Sequence, residues 1–172
     1  NGLHYAQVDV SDRGAVQSVV PAFQRRDVLV LCEGTVLYKR GEFQAEGFRK
    51  VVEINLTSLM DCSMRFFDML KASSGCLITV SSTAAFHATR GNPAYNASKA
   101  GAVGLTRTLG QAWAGEGIRV NGIAPGLVDT KLTKVTTAHP ERLKASLQNI
   151  PAGRLGLPDD MAGVALFLAS PL

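Results

Sequence analysis

The sequence predicts an α/β fold with a doubly wound parallel sheet. Short apolar runs alternate along the chain with longer segments of helical period, and this alternation is typical of βαβ units in a parallel sheet covered by helices. Apolar residues make up 46% of the chain and charged residues 19%, which is ordinary for a globular protein. A length of 172 residues suits a single domain.

The predicted elements follow from the apolar patterning and from the glycines and prolines that separate the segments. Four short apolar runs are predicted to be strands: residues 4–9, 27–31, 75–81 and 118–123. Four longer segments are predicted to be helices: residues 12–24, 46–71, 94–115 and 158–169. The last helix begins at Pro158, whose fixed φ suits a first helical turn.

Two segments have features beyond ordinary secondary structure. The helix over 94–115 is rich in small residues, and each interior glycine costs roughly 1 kcal/mol relative to alanine. We therefore expect it to pack tightly on the sheet or on a partner subunit, in preference to a ligand contact. Residues 129–150 are polar and charged and lie between Pro125-Gly126 and Pro151, and we expect them to form a mobile flap over a site.

Composition and motifs argue against several classes of function. The net charge of +4 arises from 18 basic and 14 acidic residues without the basic run typical of nucleic-acid binding. Three cysteines without CxxC spacing and three widely separated histidines favour neither a disulfide framework nor a metal site. No signal-like start and no window of ~18 apolar residues is found. We expect a cytoplasmic protein without metal, nucleic acid or membrane as partner.

One pair of residues has spacing that suits proton transfer. Tyr95 and Lys99 are four apart and therefore lie on one face of the predicted helix. A nearby ammonium lowers the pKa of a phenol, which is ~10 without perturbation, by favouring the phenolate. The pair alone is weak evidence, because surface helices carry such pairs by chance.

The surroundings of this pair strengthen the functional interpretation. Ser82 follows the predicted strand 75–81, at the end of a parallel strand where α/β proteins bind ligands. Structural roles stay open for the polar residues taken one by one. Ser82 can cap the strand end, Asn55 can bond to neighbouring backbone, and Thr130 can be a helix N-cap.

The combined pattern resembles the short-chain dehydrogenase/reductase family, and within it the members similar to 3-oxoacyl-(acyl-carrier-protein) reductases. The matching features are Asn55 in Val-Val-Glu-Ile-Asn-Leu, the strand-end Ser82, Tyr95-Asn-Ala-Ser-Lys99, and Arg119-Val-Asn-Gly-Ile-Ala-Pro125-Gly126. The likeness extends from about Asp9 to Leu172. It implies a Rossmann-like fold, with residues 1–172 as a single partial dinucleotide-binding and catalytic domain.

The resemblance implies a role for each catalytic candidate. Tyr95 would be the general acid in reduction and the base in oxidation, and Ser82 would hydrogen-bond the substrate oxygen. Lys99 would lower the tyrosine pKa and hold the nicotinamide ribose, while Asn55 would complete a proton relay through an ordered water. The reaction implied is hydride transfer between NAD or NADP and a secondary alcohol or ketone.

The resemblance also implies a set of cofactor contacts. Asp9 and Val10 would flank the adenine, and the turn at Pro125 and Gly126 would pack on the nicotinamide. Val128 and Thr130 would contact its carboxamide or the phosphates. The full set of implied cofactor-binding residues is Asp9, Val10, Gly34, Tyr95, Lys99, Pro125, Gly126, Val128 and Thr130.

The chain departs from the family pattern at two places. The glycine-rich turn that receives the pyrophosphate is not found, so we expect a chain that begins near the third strand, lacks the first two strands and the last, and exposes strand edges at 4–9 and 27–31. Leu31-Cys-Glu-Gly34 also stands where the family has Asn-Asn-Ala-Gly. Glu33 would place a carboxylate near the ribose and phosphates and weaken binding of an anionic dinucleotide.

The leading hypothesis is therefore a nicotinamide-dependent oxidoreductase acting on a small alcohol or ketone. We expect a homo-oligomer, a dimer or tetramer, because the small-residue face Ala97, Gly101 and Gly104 suits close helix approach. The rival hypothesis is a non-catalytic remnant or oligomerisation fragment that has lost cofactor binding. A related enzyme that isomerises or dehydrates its substrate is disfavoured, because no larger substrate domain follows the sheet.

Overall fold

The computed structural model describes residues 2–22 and 25–171, which form a parallel sheet covered by helices. The strands β1, β2 and β3 span Val28–Leu31, Cys76–Val80 and Arg119–Ile123 and lie in the order β1-β2-β3. Val28 pairs with Cys76, and Cys76 pairs with Arg119 on the other side. These strands match three of the four predicted runs, and the predicted parallel α/β fold is confirmed.

The predicted strand over residues 4–9 is wrong. This segment has no regular secondary structure, and Leu3 and Tyr5 beside and within it are exposed. A strand needs a neighbouring strand for its backbone N–H and C=O groups, and no other described segment pairs with this one. Val8 and Val10 nevertheless pack against the main hydrophobic cluster, which explains the apolar residues that suggested a strand.

The described residues contain eight α-helices: α1 Arg13–Ser18, α2 Ala45–Val52, α3 Ser58–Arg65, α4 Phe67–Ser73, α5 Pro93–Trp113, α6 Lys134–Thr137, α7 Pro140–Gln148 and α8 Pro158–Ala169. The predicted helix over 12–24 is shorter in the structure, and its last two positions lie outside the described residues. The predicted helix over 46–71 is divided by a π-helical turn, Glu53–Thr57, and by a break at Phe66. Helices α5 and α8 lie where the sequence predicts them.

The core lies on both faces of the sheet, as a doubly wound fold requires. Leu77 of the central strand faces a large cluster that includes Leu59 and Trp113. The next residue, Ile78, faces the opposite side, where α8 contributes Leu168. Strand β1 forms one edge of the described sheet and leaves Val30 45% exposed, which agrees with the predicted open edge.

Glycine in α5 permits one close approach between helices. A Cβ at Gly101 would lie 2.6 Å from Cδ2 of Leu56 in the π-helical turn, so α5 packs tightly against this turn, whereas the sequence predicted tight packing on the sheet or on a partner subunit. Gly104 has open space around it, and Ala97 is exposed. The part of the chain that the structure describes contains no helix long and apolar enough to span a membrane.

Candidate active site

The carboxyl ends of the three strands bring the predicted catalytic residues to one edge of the sheet. Ser82 follows β2, and its neighbour Thr83 donates its N–H to the carbonyl oxygen of Pro125, which follows β3, at 2.9 Å. The hydroxyl of Ser81 donates to the carbonyl oxygen of Lys99 at 2.8 Å and ties α5 to the end of β2. This edge is where parallel α/β sheets bind ligands.

Lys99 is a buried cation placed beside Tyr95. It is only 4% exposed, its Nζ donates to the carbonyl oxygen of Val80 at 2.8 Å, and Nζ lies 5.8 Å from the centre of the Tyr95 ring. Burial lowers the pKa of Lys99, while the neighbouring Cys32 and Glu33 act in the opposite direction. The structure therefore brings Tyr95 and Lys99 together as their spacing predicts.

Asn55 is fully buried in the π-helical turn and holds the loop that follows β1. Its Oδ1 accepts from the N–H of Thr35 at 2.7 Å, and its Nδ2 donates to the carbonyl oxygen of Thr35 at 2.9 Å and to Oγ of Ser98 at 3.2 Å. A Cβ at Gly34 would lie 3.4 Å from Nζ of Lys99 and 3.8 Å from Oδ1 of Asn55. Asn55 thus has the backbone-bonding role left open from the sequence, at a position directly beside Lys99.

The backbone of Tyr95 is held by a residue that the sequence did not single out. Tyr95 lies in the first turn of α5, and its N–H donates to Oε2 of Glu42 at 2.9 Å. Glu42 is 1% exposed, and its Oε1 accepts from the N–H of Leu37 at 3.0 Å and from Nδ2 of Asn92 at 3.1 Å. Glu42 belongs to no motif and lies on a short 3-10 helix between β1 and α2, so the sequence carries no signal that it is buried.

Ser82 is half-buried and has both a structural and a potential chemical role. Its Oγ accepts from the N–H of Ala84 at 3.1 Å and caps the short 3-10 helix Thr83–Ala85. This bond uses an oxygen lone pair, so the hydroxyl proton remains available to a substrate oxygen. Asn96, next to Tyr95, donates to the carbonyl oxygens of Ala84 and His87 at 2.6 and 2.7 Å and fixes the loop between Ser82 and Tyr95.

Two of the implied cofactor residues lie on the N-terminal segment. Asp9 is exposed, and its Oδ1 accepts from the backbone N–H and the hydroxyl of Ser11 at 2.9 and 2.7 Å. These two hydrogen bonds lower the pKa of Asp9. Val10 packs against the hydrophobic cluster. The hydrogen bonds of Asp9 are made within this segment, and an adenine site here stays a prediction.

The residues after β3 have clear structural partners. Val128 is buried and forms an isolated bridge with Gly156. The N–H of Thr130 donates to Oγ1 of Thr133 at 3.0 Å in a capping box, the N-cap role left open from the sequence. A Cβ at Gly126 would meet nothing within 4 Å, so the Pro125-Gly126 turn faces open space.

The Glu33 carboxylate is directed toward α3. It is half-buried, and its Oε1 accepts from Oγ of Ser58 at 3.4 Å. Burial raises the pKa of Glu33, and hydrogen bonds and Lys99 partly oppose that change. Glu33 therefore places a carboxyl group between the end of β1 and α3, on the same side of the site as Lys99.

The fold and the site together define a class of protein. Residues 2–172 match the family described as enoyl-(acyl carrier protein) reductase. The chain belongs to the short-chain dehydrogenase/reductase family of oxidoreductases, which confirms the resemblance seen in the sequence.

The similar proteins include reductases and dehydrogenases that are named for different substrates. The chain is 39% identical over 180 residues to a 3-oxoacyl-(acyl-carrier-protein) reductase of Chlamydia pneumoniae, covering 99% of this chain and 70% of that one. It is 40% identical over 171 residues to a 2-dehydro-3-deoxy-D-gluconate 5-dehydrogenase of Pseudoalteromonas atlantica, covering 95% and 67%. The chain thus spans about two thirds of these relatives.

Solved structures show the same likeness. A putative NAD(P)-dependent gluconate 5-dehydrogenase from Beutenbergia cavernae, described with bound NADP, superposes with a TM-score of 0.88 at 38% identity and covers 94% of this chain and 67% of that one. A putative 2-deoxy-D-gluconate 3-dehydrogenase from Agrobacterium tumefaciens, also described with bound NADP, gives a TM-score of 0.86 at 35% identity, with 96% and 68% covered. The described sheet therefore corresponds to part of a Rossmann-like dehydrogenase fold.

Proposed function

We propose that this chain carries the active site of an oxidoreductase that transfers hydride between a nicotinamide dinucleotide and a secondary alcohol or ketone. The observation that carries the proposal is the buried Lys99 ammonium, 5.8 Å from the Tyr95 ring centre at the carboxyl edge of the sheet. An ammonium that is largely removed from water loses hydration, so a site that retains one beside a phenol suits proton transfer better than structural packing.

The residues at the strand ends fit a dinucleotide. Lys99 donates to the Val80 carbonyl oxygen and, as an ammonium, has two further protons with which to hold ribose hydroxyls. The absence of a side chain at Gly34 leaves room beside Nζ of Lys99, because a Cβ there would lie 3.4 Å from it, and the Gly126 turn borders open space. The bound nicotinamide supplies or accepts the hydride. We propose NADP as the first cofactor to test, because solved relatives are described with it.

The side chains supply the proton chemistry. In the reducing direction the Tyr95 hydroxyl donates a proton to the substrate oxygen, and in the oxidising direction the phenolate takes that proton back. The Ser82 hydroxyl donates a hydrogen bond to the same oxygen and stabilises its developing charge. For Asn55 we propose the relay position that the family implies, with its side chain held by Thr35 and Ser98.

The implied substrate is a small molecule with a secondary alcohol or ketone. The names of the relatives include 3-oxoacyl and gluconate-type compounds, and these are the first two substrate classes to assay. We also propose a cytoplasmic homo-oligomer. Support comes from Cys32, Cys62 and Cys76, all free thiols, and from the exposed small-residue face at Ala97 and Gly104 on α5.

A second candidate is a non-catalytic protein that has lost cofactor binding. The observation in its favour is Glu33, a carboxyl group at the end of β1 on the same side as Lys99. A like charge there opposes an anionic dinucleotide. The two candidates differ in whether NADPH or NADH binds and is oxidised.

The test is a comparison of Tyr95→Phe with the wild-type protein. We expect saturable NADPH binding in both, with dissociation constants within about twofold, and a kcat for ketone reduction lowered about 10²- to 10⁴-fold in the variant, the range for loss of a general acid. Tyr5→Phe is the matched control, because Tyr5 is 89% exposed and belongs to none of the motifs of the candidate site. A folded wild-type protein that binds neither nicotinamide would overturn the proposal in favour of the non-catalytic candidate.

A further inference from the structure

Glu42 is the one buried carboxylate among the described residues, and the proton chemistry above does not use it. It lies on the short 3-10 helix Gly41–Phe43, in the loop between β1 and α2. Its carboxylate accepts three N–H bonds from three separate places: the Leu37 backbone, the Asn92 side chain and the Tyr95 backbone. A buried carboxylate with three donors has a specific geometry that a chance surface residue lacks.

The head of α5 lacks an ordinary cap and uses Glu42 in its place. Asn92 is the N-cap residue, but its side chain does not accept from the first-turn amides. Its Nδ2 donates to Glu42 and to the Leu37 carbonyl oxygen. The N–H of Tyr95, which has no intrahelical partner in a first turn, donates to the Glu42 carboxylate. A negative charge at this end is also favoured by the helix dipole.

The backbone that leads to Glu42 is strained. Lys39 and Arg40 have φ values of 54° and 62°, a left-handed conformation that residues other than glycine rarely adopt. Such strain persists where surrounding contacts over-determine it and is found most often at functional sites. The three hydrogen bonds of Glu42 are made directly after this strained segment.

We infer that Glu42 is a positioning residue that fixes Tyr95 against the loop after β1. This inference rests on the proposed function, in which Tyr95 transfers the proton. Glu42 contacts the Tyr95 backbone and not the reacting hydroxyl, so it acts through Tyr95. The Glu42 carboxylate bonds both the Leu37 backbone and the Tyr95 backbone. The position of Tyr95 therefore depends on the position of the loop over 35–41.

The inference is tested with two variants that fill the same volume, Glu42→Gln and Glu42→Met, and with Glu46→Gln as control. Glu46 is an exposed acid in the first turn of α2. The first readout is hydrogen exchange of the Tyr95 amide, compared with the Leu109 amide farther along α5. We expect Tyr95 exchange to be at least tenfold faster in Glu42→Met, while Leu109 exchange stays within about twofold, because only the first-turn bond is lost.

The second readout is kinetic and is made on the full-length protein with NADPH and a 3-oxoacyl or gluconate-type ketone. We expect kcat to fall in the order wild type, Glu42→Gln, Glu42→Met, with at least a tenfold loss in Glu42→Met and KM for NADPH within about twofold. Glutamine keeps one acceptor oxygen and methionine keeps none, so a purely space-filling role predicts equal losses. Glu46→Gln is expected to match wild type.

Each outcome decides the inference. Equal kcat losses in Glu42→Gln and Glu42→Met, or Tyr95 exchange as slow in both variants as in Glu46→Gln, overturn it. If Glu42→Met does not fold, Glu42→Gln alone decides by the same comparison with Glu46→Gln. A wild-type protein without turnover overturns the proposed function, and Tyr95 exchange then still shows whether Glu42 fixes this residue.

Discussion

The two sides of the candidate site are held in place by different means. One side, the loop wall, consists of residues 34–42 and the first turn of α5. Buried Asn55 bonds to Thr35 of this wall, 20 residues away in sequence, and buried Glu42 bonds its two parts together through Tyr95, 53 residues away. The other side, the flap over 129–150, is held mainly by bonds between near neighbours, such as Thr133 to Val128 at 2.6 Å and the exposed pair Lys134 and Asp129. Its helices α6 and α7 have no buried residue.

The difference suggests that the loop wall aligns the reacting groups and that the flap adapts to the substrate. Proton and hydride transfer require atoms held within a narrow range of positions, and the loop wall has the buried long-range hydrogen bonds that resist displacement. Segments with few buried contacts open at low free-energy cost, which suits a cover that admits substrates of different shape. The mobility of the flap stays a prediction, and its local, exposed bonding is what supports it.

The largest difference in the free energy of unfolding is expected between two variants that each remove one asparagine side chain, one that holds the loop wall and one in the flap. Asn55→Ala leaves the Thr35 N–H and carbonyl groups without a side-chain partner, and we expect it to lower the free energy of unfolding by about 3 kcal/mol, since each buried unpaired group costs about 1–3 kcal/mol. Asn149 is exposed in the flap, and its side-chain Nδ2 donates to the Ala145 carbonyl oxygen. Asn149→Ala should change the free energy of unfolding by less than about 0.5 kcal/mol.

Urea unfolding monitored by circular dichroism measures both values. The Ser98 contact gives a second check, because Asn55→Asp keeps the acceptor for the Thr35 N–H and loses the two donated bonds. It should fall between wild type and Asn55→Ala. Equal losses in Asn55→Ala and Asn149→Ala would show that the two sides are held equally, contrary to the comparison above.

The sequence predicted the residues that carry a local pattern. The spacing of Tyr95 and Lys99 on one helix and the position of Ser82 after a strand follow from helical and sheet periodicity, and the structure places them as expected. Strands β1 to β3 were predicted because a buried parallel strand is a short apolar run. The segment over 4–9 was mistaken for a strand because a short apolar run indicates that side chains are buried and not whether a partner strand exists.

The residues that the sequence missed depend on distant contacts. Glu42, Asn92 and Asn96 are polar residues in or next to loops, and each is positioned by groups more than five residues away. Polar loop residues are usually solvated, so only the fold shows that Glu42 is buried. The π-helical turn at Asn55 is likewise set by the Thr35 and Ser98 contacts and carries no periodic signal.

A smaller, pH-dependent effect is expected at Glu33, which directly precedes the loop wall. Because burial raises the pKa of Glu33, ionisation disfavours the folded state, and its stability falls as pH rises past the ordinary glutamate pKa of about 4.3 toward the raised value. Glu33→Gln removes this loss. We expect the variant to gain thermal stability relative to wild type at pH 7, and the gain to shrink as pH falls to about 4.

The same substitution tests the charge beside the proposed dinucleotide site. Removing a like charge a few ångströms from a bound anion should tighten NADPH binding about fivefold, the equivalent of ~1 kcal/mol in a water-like dielectric. Fluorescence titration measures the dissociation constant. Glu141→Gln on α7 is the control, since Glu141 is exposed on the flap. An unchanged dissociation constant in Glu33→Gln would place its carboxyl group outside the field that the dinucleotide experiences.

The smallest effect is expected at a hydrogen bond that joins the two sides. The Tyr38 hydroxyl in the loop wall donates to the Leu132 carbonyl oxygen in the flap at 2.9 Å. Burial raises the pKa of Tyr38, and the nearby Tyr95 and Glu42 raise it further. The hydroxyl therefore stays protonated and remains a donor at neutral pH.

Tyr38→Phe removes only this bond, and a neutral hydrogen bond contributes about 1 kcal/mol. Because the loop wall is held independently by Asn55 and Glu42, we expect kcat to change by less than about twofold while KM for the ketone rises about fivefold, the change that ~1 kcal/mol produces. Steady-state kinetics on Tyr38→Phe and on the exposed control Tyr5→Phe measure the difference. A fall in kcat with unchanged KM would mean that the flap contributes to alignment of Tyr95, and that the two sides act as one unit.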